Sequence, residues 1–172
     1  MPNTLGSRVF EMTSLRDAIA YICKHYPHKD ELSNARVTKM VYLADWRSAI
    51  TRGKQMTEVP WVFHHYGPFV YDILDTAKED PAFEVVPTHN MYGAPKDLLK
   101  VAHDATYPSV GEDEKDILNF VIDSSADKNW DEFIRLVYST YPILAGERHT
   151  KLDLVELANE YREVIPLLES ER

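Results

Sequence analysis

"VTKMVYLADWRSAITRG", residues 37–53, decides how this chain folds. At helical spacing Val37, Met40, Val41, Tyr42, Leu43, Ala44, Trp46, Ala49 and Ile50 cover nearly the whole circumference. A helix that is apolar all round has to be enclosed on several sides, so it is the central post of the domain. Ser33 or Asn34 is placed to cap its start, and Gly53 its end. Within it stands Asp45, whose neighbours one turn away are Val41, Tyr42 and Ala49. A buried carboxylate needs donors, because an unpaired buried charge costs several kcal/mol. Asp45 is therefore expected to tie the helix to a backbone turn near Gly67, or to His64 or Arg52. A buried carboxylate with a shifted pKa also suits a general base, so a small metal-independent hydrolase using Asp45 and a histidine is an alternative.

Downstream, "VPWVFHHY" (59–66) reads as a strand of β-branched and aromatic residues. Gly67 breaks it, and Pro68 suits the first position of a new helix, where its missing N–H goes unmissed. Val70, Ile73, Leu74 and Ala77 form that helix's apolar face as far as Asp80-Pro81. "HHYGPF" (64–69) is on this reading a corner of the architecture and not a centre of chemistry. Strand alternation sends Trp61, Phe63 and His65 one way and Val62, His64 and Tyr66 the other. Adjacent histidines on opposite faces do not ligate one metal, and Pro27 separates His25 from His28. With one cysteine, Cys23, at an apolar helical position, no metal framework or disulfide is expected. No cofactor is expected either.

Upstream, Ser14 and Asp17 form a capping box for a helix with Leu15, Ala18, Ile19, Ile22, Cys23 and Tyr26 inward, stopped by Pro27. Residues 1–13 are expected to be a flexible N-terminus, and 14–168 the domain. "FEVV" (83–86) and "LLKV" (98–101) read as a hairpin around the polar loop "PTHNMYGAPKD". Three more helices follow. Ser109 and Glu112 cap one with Ile117, Leu118, Val121 and Ile122 inward. Asn129 starts another, with Trp130, Phe133, Ile134, Val137, Tyr138 and Tyr141 in register. Thr150 and Asp153 cap the last, with Leu154, Leu157, Ala158, Tyr161 and Ile165. The class is helix-rich α+β, a compact single domain with a central buried helix and a small antiparallel sheet or hairpin.

The composition narrows the function. In 172 residues, 44% hydrophobic and 27% charged, there is enough apolar matter for one ordinary core. Asp and Glu outnumber Lys and Arg 28 to 19, a net charge of −9, which repels phosphate backbones and disfavours nucleic acid as a partner. The same charge suits a basic protein. No run is long and apolar enough for a membrane span, and the N-terminus lacks the blocks of a secretion signal, so a cytoplasmic location is expected. Nucleophile-elbow, zinc-protease, phosphate-loop and dinucleotide motifs are missing from the sequence, and the expectation is a protein that is not an enzyme. Aromatics crowd one place: Trp61, Phe63, Tyr66, Phe69 and Tyr71, with Tyr138 and Tyr141 in "VYSTYP" further on. Such a cluster suits a core as well as a partner surface. Trp61, Phe63, Tyr66, Tyr138 and Tyr141 are the candidate partner-binding residues, several of them expected to be core, because aromatic anchors dominate binding energy.

The stretch "TKMVYLADWRSAITRGKQMTEVPWVFHHYGPFVYDIL" (38–74) resembles the signature of the SocA-like Panacea domain of bacterial and phage antitoxins. In that signature a helical Tyr-Leu-x-Asp motif leads through a helix-ending Gly to an aromatic strand and a Gly-Pro helix start. Tyr42, Asp45, Gly53, Tyr66, Gly67 and Pro68 stand at the matching positions. "EDEKDILNFVIDSSADKNWDEFIRLVYSTYP" (112–142) is similar to the family's C-terminal helices. The resemblance implies a helix-rich antitoxin-like module that neutralises a cognate toxin, encoded by the adjacent gene, through direct protein contact. A phage or mobile-element regulator that binds a host protein is a further alternative to the antitoxin reading.

Overall fold

The structure is a computed structural model and describes residues 12–170, with side chains to 166. The expected flexible N-terminus falls almost wholly outside these residues, which begin at Met12. The chain is helix-rich α+β. Helix α1 (Leu15–His25) is followed by a 3-10 turn, then by α2 (Asn34–Arg52). A hairpin of β1 (Val62–His64) and β2 (Gly67–Phe69) precedes α3 (Asp72–Glu79). Strands β3 (Phe83–His89) and β4 (Pro95–Val101) form a second hairpin. Helices α4 (Glu112–Ala126), α5 (Trp130–Tyr138) and α6 (Tyr141–Ala145) come next, then β5 (Thr150–Lys151) and α7 (Leu154–Ser170).

Helix α2 is the post that its sequence predicts. From Arg36 to Ala49 all but Arg47 are buried, and the helix packs against α1, α3, α4, α7, β2 and β4. Ser33 Oγ accepts the Arg36 N–H at 3.2 Å, and Gly53 closes the other end in the left-handed region, φ 74°. Buried Thr38, Asp45 and Ser48 on this helix have hydrogen-bond partners, while buried Lys39 has none among the described residues and desolvation pushes its ammonium down to about 8. The Arg36 guanidinium donates to the Tyr26 hydroxyl and lies 4.7 Å from the Phe133 ring centre. One contiguous apolar cluster joins α2 to residues from Ile19 to Ala158, and Cys23 lies in it as expected.

Several local expectations change. Pro68 does not start a helix. It stands in the middle of β2, and α3 begins at Asp72. The strand expected over 59–66 shrinks to Val62–His64, because the chain reverses at His65-Tyr66 and pairs with itself: Val62 with Phe69, His64 with Gly67. Gly67 takes φ 100°, a conformation that residues with a Cβ resist, and so absorbs the reversal. Conversely the second hairpin is longer than expected. Its strands reach His89 and Pro95, and Asn90 Oδ1 closes the loop by accepting the Tyr92 and Ala94 N–H groups.

The expected caps at 14–17 and 109–112 merge into one network. Ser14 Oγ accepts the Asp17 N–H, but the Asp17 carboxylate turns away to accept the Ser109 N–H and hydroxyl. Ser109 therefore tethers α1 to the approach of α4 and does not cap α4, whose cap position is Gly111. Tyr141 is not in register on α5. That helix stops at Tyr138, and Tyr141 opens α6. Thr150 belongs to β5, which adds to the first hairpin to make a three-stranded antiparallel sheet in the order β2-β1-β5, while Asp153 alone caps α7.

Candidate partner-binding site

Asp45 is wholly buried, and the loop after α2 is wrapped around it. Its carboxylate accepts the Thr57 N–H at 2.8 Å, the Thr57 hydroxyl at 2.6 Å and the Trp61 indole N–H at 2.8 Å. The Gln55 amide reaches it more weakly at 3.4 Å. Burial pushes the carboxyl up to about 6 against the pull of these donors. Asp45 thus does tie α2 to a turn, but to Thr57 and Trp61 in place of Gly67, His64 or Arg52. Among the described residues no histidine bonds to it, so the acid–base pair that a hydrolase would need is not assembled at Asp45.

Trp61, held at its nitrogen by Asp45, meets the Tyr42 ring edge-on at 5.6 Å between centres. The Tyr42 hydroxyl pairs with Thr140 Oγ1 at 2.8 Å, so α2 also grips the α5–α6 junction. The far side of that junction returns to the hairpin through Tyr138. A Cβ at position 67 would lie 3.3 Å from the Tyr138 ring, so the absence of a side chain at Gly67 lets helix α5 back the hairpin closely. As scaffold, Tyr42, Asp45, Gly67 and Pro68 are buried at or beneath the hairpin, whereas Gly53 is exposed and serves only to end α2.

What the scaffold presents is aromatic. Tyr66 at the turn is 77% exposed and Tyr71, just after β2, is 68% exposed. Phe69 stacks edge-on with Tyr71 at 5.1 Å and with His64 at 5.9 Å, and His65 with Tyr66 at 4.7 Å. Trp61 and Phe63 are not available to a partner. At 1% and 5% exposure they are core, because the inward face of β1 is covered. Tyr138 is half-buried beneath the turn. Tyr141 is half-buried against Tyr161 of α7 at 5.5 Å, and Tyr161 in turn meets Trp46 at 5.6 Å. Of the five candidate residues, Tyr66 alone stands fully free.

Thr57, which supplies two of the three close donors to Asp45, lies in a segment without regular structure, and no spacing signals it. Tyr71 was visible only as one more aromatic in a crowded stretch. Among the described residues no three His, Cys, Asp or Glu side chains lie close enough together to hold an ion, and no helix is long and apolar enough to cross a membrane.

The family model described as "Antitoxin SocA-like, Panacea domain" matches residues 37–142. That span starts in α2 and ends in α6, so it holds the Asp45 clasp, the whole β1–β2 hairpin and Tyr138. Neither a curated protein nor a solved structure matches the chain.

Proposed function

The chain belongs to the SocA-like antitoxin family defined by the Panacea domain, and from that membership we propose that it neutralises a cognate toxin by direct protein–protein contact. The toxin is the product of the adjacent gene, and both act in the cytoplasm. The observation that supports contact through a particular place is the contrast between a buried scaffold and an exposed tip. Of the matched residues, Tyr42, Asp45 and Gly67 are used up inside the fold, while Tyr66 is exposed at the turn, with exposed Tyr71 just after the hairpin. A stiff hairpin loses little freedom on binding, and a tyrosine brings large contact area with few rotatable bonds.

Neutralisation at cellular concentrations calls for nanomolar affinity, about −12 kcal/mol, and an interface burying roughly 1,200–2,000 Å² in total. Tyr66 is the anchor in this reading, with Tyr138 and Tyr141 contributing their exposed edges. The test is co-expression with the neighbouring gene. Growth is rescued by the wild type and the two products co-purify. Tyr66→Ala loses both rescue and co-purification while melting within about 2 °C of wild type, since an exposed side chain contributes little to stability. A neighbour that is harmless alone and forms no complex would overturn the proposal.

A further inference from the structure

Resting on that reading, we propose that the outer face of the β2-β1-β5 sheet, and not only the Tyr66 turn, receives the toxin, and that Lys151 on that face pairs with a carboxylate of the toxin. The register defines the face. Val62 and His64 on β1 point away from the core while Phe63 points in. Phe69 of β2 and Lys151 of β5 both stand opposite Val62, so Phe69, Val62 and Lys151 form one row across the three strands. His64 sits beside that row with its ring against Phe69, and Tyr71 flanks it.

The charge of this face is at odds with the rest of the molecule. Residues 59–71 contain no Asp, Glu, Lys or Arg, in a chain whose net charge is −9. Surfaces stripped of charge and enriched in aromatics are the mark of interface centres. Lys151 is exposed at the end of the row and makes no ion pair among the described residues. A complementary partner therefore offers an apolar strip ending in an acidic group. Pro68 directs the partner to the face. In an edge strand it has no N–H to offer a new strand, so lengthening the sheet at β2 is blunted. Lys151 also lies beyond the matched residues 37–142, on the strand that completes the sheet from outside. The matched segment supplies the apolar part of the surface, and β5 supplies the charge that selects among toxins.

The experiment measures dissociation constants of the full chain and the adjacent gene's product at low and high salt. The variants are Lys151→Glu and Lys151→Arg, with Lys78→Glu on exposed α3 as the control. Lys151→Glu weakens binding on the order of tenfold or more, because a like charge then faces the carboxylate, and the loss shrinks as salt rises. Lys151→Arg and Lys78→Glu bind within about twofold of wild type. Binding of Lys151→Glu within twofold of wild type, by a protein that still depends on Tyr66, overturns this proposal and leaves the antitoxin reading standing. A neighbour that does not bind the wild type overturns both.

Discussion

Asp45→Ala tests the clasp on which the hairpin hangs, and its cost depends on pH in a way the structure specifies. Removing the carboxylate strands the Thr57 N–H and the Trp61 indole N–H, neither of which can turn to another acceptor. The Thr57 hydroxyl can rotate. Two stranded donors cost about 1–3 kcal/mol each. Against this stands a penalty that the wild type carries. Folding raises the Asp45 carboxyl from 3.8 to about 6, so the folded state holds the proton more tightly than the unfolded chain does. The contribution of Asp45 is then largest below pH 4 and falls as pH rises through 6. A shift of about two units is worth about 3 kcal/mol in full, of which about 2 kcal/mol is lost between pH 4.5 and pH 7. The expected destabilisation by Asp45→Ala is therefore about 2–4 kcal/mol at pH 7 and about 2 kcal/mol more at pH 4.5. Urea unfolding of both proteins at the two pH values, followed by tryptophan fluorescence, reads the difference directly. Other titrating groups cancel in the comparison. A variant as stable as wild type, or one with the same loss at both pH values, would refute the clasp as described.

Gly67→Ala should cost about 2 kcal/mol, since φ 100° strains a residue with a Cβ and the new methyl meets the Tyr138 ring. It should also abolish toxin binding if the turn is the anchor. Denaturant unfolding and the binding assay check the two effects separately, and unchanged stability would contradict the close approach. Cys23 is the one cysteine, 3% exposed, with its thiol pushed up to about 12 by burial. An aromatic disulfide reagent should label the native protein orders of magnitude more slowly than the urea-unfolded chain. Labelling at the free-thiol rate would place Cys23 outside the core.

Local pattern was enough for the helices whose environment is written along their own length. The all-round apolar surface of α2, its stop at Gly53, the one-sided stripe of α1 and the burial of Cys23 follow from spacing and capping chemistry alone. The order of motifs from Tyr42 to Pro68 was enough for the family. What spacing left undecided is wherever a residue's state depends on a neighbour far along the chain. Alternation shows that β1 has two faces but not which is covered. Trp61 and Phe63 are core because Tyr42, Asp45 and the segment around β5 close over them, the last from almost ninety positions away. Gly67-Pro68 suits a helix start as well as a hairpin. Pairing of Val62 with Phe69 and contact with Tyr138 settle it, since strand bonds and buried area outweigh the local preference of one proline. Asp45 announced that it needed donors. That the donors are Thr57 and Trp61 was decided by the path of a loop with no periodicity, and such a path exists only once the core has formed.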